Sequence, residues 1–164
     1  MKKLSLVIVS LVLFTAFAVN AESTNRMHFP LSGFSIAPLE APLEKATQQS
    51  IMMFLPATGG FAPNVSVQIQ PYDGSIKDYS ALSLKQFESA GLKVIKPTEP
   101  KGSFVTFEYR GKMEGRTLHW YAKAEKTKGR VYLVTATAPE EHWTTVAPQL
   151  KACVDSFSCD AAIK

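Results

Sequence analysis

The stretch SFVTFEYRGKMEGRTLHWYAKAEKTKGRVYLVTATA, Ser103 to Ala138, decides the fold. Its first part alternates in period two: Val105, Phe107 and Tyr109 face one way, and Thr106, Glu108 and Arg110 face the other, which is the signature of a strand. Gly111 to Gly115 supplies a turn with glycine at both ends. Leu118, Trp120, Ala122 and Ala124 then alternate with His119, Tyr121, Lys123 and Glu125, so a second strand returns. Lys128-Gly129 makes the next turn, and Val131 to Thr137 is a β-branched, uncharged run expected of a central strand covered on both faces. Three consecutive antiparallel strands are therefore the nucleus of a sheet.

Upstream, Met1-Lys2-Lys3 is a short cationic start and Leu4 to Val19 is strongly apolar, too short for a comfortable membrane span. Val19-Asn20-Ala21 places small residues where a signal peptidase reads, so residues 1–21 are expected to be a secretory signal cut after Ala21, with Ala18 as the alternative site. No cysteine follows to carry a lipid, and the positive, brief leader points to a bacterial periplasm. Without its first 21 residues the 164-residue chain retains 143, the size of one domain, 22–164. Of 18 basic side chains, Lys2 and Lys3 lie in the leader, leaving 16 against 14 acidic ones. That balance is too even for a nucleic-acid footprint, and no stable membrane span is expected in the mature chain.

Glu22 to Pro30 reads as a frayed polar tail, and Phe34-Ser35-Ile36, between Gly33 and Pro38, as a short edge strand. Ile51 to Leu55 is a continuous apolar run of strand length whose Met52 and Met53 are expected to fill core. Val65, Val67 and Ile69 alternate with Ser66, Gln68 and Gln70 in a half-buried strand. Gly59-Gly60 just before it is a hairpin turn, because a phosphate-cradling loop needs a helix behind it and a strand follows here. Ser75 with Asp78 makes a capping-box start for a helix running to Gly91, its inward face formed by Ile76, Tyr79, Leu84, Phe87 and Ala90. Gly91 is the left-handed cap, and Leu92 to Ile95 enters another strand. Pro139-Glu140-Glu141 opens a second helix with the apolar stripe Trp143, Val146, Ala147, Leu150, Val154 and Phe157. Pro148 removes one amide donor within it, so a kink there or a true start near Thr144 is expected.

The chemistry-bearing residues are few. Cys153 and Cys159 are the only cysteines. In an oxidising compartment they are a disulfide candidate, with two free thiols as the alternative, and the spacing is not the two-residue gap of redox catalysts. If the helix ran on to Cys159, six residues at about 1.5 Å each would hold the Cα atoms roughly 9 Å apart, so bridging requires the tail to turn back after Phe157. His28, His119 and His142 lack the short spacings of a metal site, which leaves them structural or solvent-facing roles. Glu140 and Glu141 answer a helix dipole without acid/base work. No nucleophile motif and no zinc-protease motif occurs, and no metal or cofactor is expected. Lys123, Lys126, Lys128 and Arg130 crowd the second hairpin, with Arg110, Lys112 and Arg116 at the opposite end of the strands. Such a cluster is either a solvated tip that protects an edge or a surface for an acidic partner or anionic lipid headgroups.

The element order resembles the PsbP-like fold, shared by the PsbP subunit of photosystem II, bacterial DcrB-type exported proteins and a eukaryotic nuclear-import factor. The residues that carry the resemblance are Phe34-Ser35-Ile36, Asn64-Val65-Ser66-Val67, and Tyr132 to Trp143 leading into a last helix that closes with Ser156-Phe157. The chain departs from the family pattern after the first strand, where Glu40 to Leu43 stands in place of an expected tryptophan, which marks a divergent member. The resemblance implies an α+β, α/β/α sandwich: a mostly antiparallel sheet of about six to seven strands flanked by helices. It also implies a class that mostly binds or assembles other proteins. A non-enzymatic exported protein binding an envelope protein partner is the first expectation. A carrier of a small apolar ligand in a sheet–helix cleft lined by Met52, Met53 and aromatic residues is the second, and an envelope hydrolase with a dispersed site the third.

Overall fold

The computed structural model describes residues 27–29, 33–36, 51–96 and 99–159. Its contacts divide the chain into two units, residues 1–46 and 47–164. In the first, β1 (Met27–Phe29) pairs antiparallel with β2 (Phe34–Ile36), Met27 opposite Ile36. The expectation of a frayed tail is thus corrected at Met27 to Phe29, which finds a ladder partner, and β2 belongs to this two-stranded sheet instead of edging the larger one. The expected signal segment, 1–21, lies outside the described residues.

The second unit runs β3 (Ile51–Phe54), β4 (Asn64–Pro71), α1 (Ile76–Ser89), β5 (Lys93–Lys96), β6 (Phe104–Met113), β7 (Arg116–Thr127), β8 (Arg130–Pro139) and α2 (Glu140–Asp155). The strands form one six-stranded sheet in the order β3-β4-β8-β7-β6-β5, antiparallel at every pairing. The fold class is the expected α+β sandwich, and β6, β7 and β8 are the meander read from Ser103 to Ala138. The first turn is tighter than the sequence suggests: only Glu114 and Gly115 leave the ladder, with φ of 51° and 79°, the pair of positive values that a two-residue hairpin turn needs. Gly111 stays in β6 opposite Leu118. A Cβ there would collide with Leu92, so glycine at this point admits the residue that leads into β5.

Period-two alternation gives the sheet two differently composed faces. On one, Val105, Phe107, Tyr109, Leu118, Trp120, Ala122, Ala124 and Val131 are buried together with Tyr79 of α1. On the other, Val65, Val134, Ala136 and Ala138 are buried beneath Trp143, Leu150 and Val154 of α2. Helix α1 packs mainly on β5 and β6 and meets β4 through Tyr79 and Gln70, whereas α2 lies over β8, β7 and β4. The capping box at Ser75 and Asp78 is present. At the other end, the Gly91 amide donates to Glu88 and the Leu92 amide to Phe87, a Schellman closure with Gly91 at φ 68°. The inward face of α1 is Ile76, Tyr79, Ser80, Ser83 and Phe87, while Leu84 and Ala90 are exposed, so the expected stripe is corrected by about one residue of helix rotation. Helix α2 runs unbroken through Pro148 from Glu140. It does not start at Thr144, because Pro148 forfeits one amide donor without displacing the packed stripe on either side.

The Met52 and Met53 expectation is also corrected. β3 is the last strand of the sheet, and Ile51, Met52, Met53 and Phe54 are 47–61% exposed. Phe107→Ala should therefore lower unfolding free energy by about 3–5 kcal/mol, and Met52→Ala should change it by no more than about 0.5 kcal/mol. Urea denaturation of the two variants checks the ranking.

Candidate functional site

The face under α2 carries charge at its centre. Alternation places Glu108 and Arg110 of β6 beside His119 and Tyr121 of β7, since Arg110 pairs with His119 and Glu108 with Tyr121. α2 brings Glu140, Trp143, Ala147 and Lys151 to that patch on one helical side, at spacings of three and four. Arg110 Nη1 donates to Glu140 Oε1 at 2.8 Å. Glu140 Oε2 lies 2.7 Å from His119 Nδ1, and His119 Nε2 lies 3.1 Å from Glu108 Oε1. Lys151 Nζ donates to the same Glu108 oxygen at 2.8 Å. The result is a line of alternating groups, Arg110, Glu140, His119, Glu108 and Lys151.

The line is graded by burial. The His119 side chain is 6% exposed at the centre, against 43% for Arg110 and 34% for Lys151 at the ends. Trp143 stacks on the imidazole with centroids 3.9 Å apart and planes 13° from parallel. Each ring nitrogen faces a carboxylate oxygen, and an ionised carboxylate only accepts, so the contacts are complete when both nitrogens carry protons. Burial alone would raise the Glu108 carboxyl, but hydrogen bonds from Lys151 and His119 outweigh it and hold the group below the ordinary value of 4.5. Glu140 follows the same pattern, with burial opposed by Arg110 and His119. Beside the line, Tyr121 donates to Asp155 Oδ1 at 2.8 Å. Burial, then this carboxylate, push its phenol up to about 12.

This geometry holds a helix in place and leaves no imidazole nitrogen to meet a substrate. The structural role expected for His119 stands, but the partners were not foreseen, and Glu140 does more than answer the helix dipole. Among the described residues, no group of three or more His, Cys, Asp or Glu side chains is placed to hold a metal ion. Cys153 packs against the apolar cluster under α2, and no disulfide joins it to Cys159. The expected bridge is corrected on this geometry: after Asp155 the chain turns through Ser156 and Phe157, yet Cys153 is directed inward toward the sheet.

The basic cluster separates into two kinds. Lys123 is 13% exposed beside Glu125 at 3.2 Å, and its Nζ donates to the Phe157 carbonyl at 2.6 Å, closing the end of α2. Lys126 donates to Thr127. Lys128 and Arg130 are exposed at the β7–β8 tip. At the other end, Arg116 donates to the Gly59 carbonyl at 2.9 Å, tying down the glycine turn before β4.

A six-stranded antiparallel sheet with one helix on each face is the architecture of a PsbP-like domain. The chain belongs to the PsbP family, whose profile matches residues 61–159. In structure it is similar to PA94 from Pseudomonas aeruginosa, a protein of unknown function described as a candidate regulator. The TM-score is 0.66 at 20% identity, over 84% of this chain and 99% of that one. A cyanobacterial PsbP, CyanoP from Synechocystis, aligns with a TM-score of 0.44 at 16% identity over 75% of this chain and 98% of its own. No curated protein matches the chain in sequence.

Glu108→Gln keeps the shape but removes the charge that Lys151 and His119 address, and should cost about 1–2 kcal/mol at neutral pH. Because both carboxyls sit below 4.5, their contribution is complete above that value and is lost as pH falls through the lower native pKa. Urea denaturation across pH should show wild type losing stability on acidification below about 4.5 more steeply than the Gln variant.

Proposed function

We propose that this chain is a non-enzymatic, exported member of the PsbP family that binds a protein partner in the cell envelope. The observation that carries the reading is the contrast between its charged groups. The line from Arg110 to Lys151 is consumed in seating α2, and Lys123 in closing it. Lys128 and Arg130 project at the β7–β8 tip with no ion pair among the described residues. A hairpin tip carrying unmatched cations suits an acidic surface, where complementary charge raises the association rate and selects the partner.

The leader-like residues 1–21 support export, and no helix among the described residues is long and apolar enough to cross a membrane. Family membership supports a binding role, since the PsbP resemblance implies modules that mostly bind or assemble other proteins. The PA94 likeness adds the fold alone at its 20% identity.

The test is cross-linking pull-down of the tagged protein from intact cells, with mass measurement of the same preparation. The expected outcome is a mature chain beginning at Glu22, together with one stoichiometric protein that is lost as salt rises and lost when Lys128→Glu and Arg130→Glu are combined. A full-length cytoplasmic chain, or a partner indifferent to both substitutions, would overturn the proposal.

A further inference from the structure

The face under α1 is incompletely filled. A cavity of ≈ 230 Å³ lies between the helix and the sheet, walled by Tyr79, Ser83 and Phe87 of α1 and by Gln70, Tyr109 and Leu133 of three strands. Its place follows from the fold, because α1 packs mainly on β5 and β6 and meets β4 through the Tyr79–Gln70 hydrogen bond. Among its lining residues there is no Asp, Glu, Lys, Arg or His. A charged ligand would therefore lose its hydration with no counter-ion to replace it.

Several polar groups of the wall are already committed to one another. The Tyr79 hydroxyl donates to Gln70 Oε1 at 2.8 Å, and the Ser83 hydroxyl donates to the Tyr79 carbonyl at 2.8 Å. Tyr109 differs. It is 8% exposed, and its ring is fixed in a stack, 4.2 Å from Phe87 on one side and 5.2 Å from Trp120 on the other. Burial, with the Tyr79 phenol close by, pushes its own phenol up to about 12, so it stays a proton donor at neutral pH. No group among the described residues accepts that proton. Among the described residues no fully buried side-chain oxygen or nitrogen is left orphaned, so the hydroxyl is accessible and not sealed in, and its residue lines the cavity.

We propose that this cavity is a binding site for a neutral, single-ring organic molecule bearing a carbonyl or similar acceptor, with the Tyr109 hydroxyl donating to that acceptor. Size supports one ring: an apolar cavity of about 150 Å³ takes benzene, and the space here admits a ring with one small polar substituent. Phe87 and Tyr109 each give one ring face to their mutual stack, and Leu82 and Leu133 add apolar wall to the site. Gln86, also on the wall, offers an amide toward the same substituent. This site is on the opposite face of the sheet from the His119 line and does not depend on the protein-binding role proposed above.

Benzamide and acetophenone are suitable probes, with benzoate and benzylamine as charged counterparts of the same size. In two-dimensional NMR titrations of the mature chain, the neutral pair should shift resonances of Ser83, Phe87 and Tyr109 with roughly millimolar affinity, as befits so small a ligand. The charged pair should bind at least about tenfold more weakly. Tyr109→Phe preserves the stack and should weaken the neutral probes about tenfold, the worth of one hydrogen bond. Gln86→Leu, at an exposed helix position, serves as a second variant with little risk to folding and should weaken benzamide more than acetophenone. Shifts confined to other parts of the protein, equal binding of benzoate, or undiminished affinity in Tyr109→Phe that retains wild-type dispersion would each overturn the site.

Discussion

The imidazole of His119, held between Glu108 and Glu140 under the ring of Trp143, is the contact on which the seat of α2 depends. Apolar burial would hold a helix against this face in several rotations, since Val134, Ala136 and Ala138 present a smooth floor. The charged line admits one. If α2 slid by a turn, Glu140 would leave Arg110 and His119 while Lys151 left Glu108, and three partly buried charges would lose their partners. Removing one member of a buried pair costs several times what the pair contributes against a well-packed apolar substitute. The line therefore acts chiefly through what it forbids, fixing the register of helix on sheet.

That seat explains how α2 tolerates Pro148. The proline gives up one backbone donor at the middle of the helix, and Pro139 as the N-cap residue contributes no side-chain hydrogen bond. Stability must then come from tertiary contacts. Leu150 and Val154 are 3% and 0% exposed, the Lys123 ammonium meets the chain at Phe157 beyond the last turn, and Tyr121 meets Asp155. The Lys123 and Tyr121 contacts come from the meander, and Val65 of β4 joins Val134 and Ala136 beneath the helix, so the meander and its neighbour β4 together specify α2.

Much of this was legible from local pattern. Period two exposed β4, β6 and β7, an uncharged β-branched run exposed β8, and the capping box with Gly91 bounded α1, because strand patterns and helix ends are encoded within a few residues. The inward set on α1 was harder: Ser80 and Ser83 are buried while Leu82 and Leu84 are exposed, so polarity misdirects the helical wheel where the packing surface includes a cavity. Met52 and Met53 were misplaced for a related reason. An apolar run reveals strand length but not whether a helix will reach that edge of the sheet. The line through His119 had one visible signal, Glu108, Arg110 and His119 sharing a face, but Lys151 lies 32 residues beyond His119. Only the three-dimensional return of α2 joins them.

The two faces thus carry opposite solutions to one problem. α2 lies over β8, β7 and β4 and brings charges to match Glu108 and His119. α1 is held at both ends by strong local caps, so it needs less from the sheet, and it packs mainly on β5 and β6. A helix fixed by its own termini can stand partly off its floor, and beside the gap Phe87, Tyr109 and Trp120 are joined by ring stacking while Tyr79 meets Tyr72 edge-on. Close-packed interiors normally eliminate such space. Here the aromatic stack of Phe87, Tyr109 and Trp120 borders the space, with the Tyr109 residue on its wall.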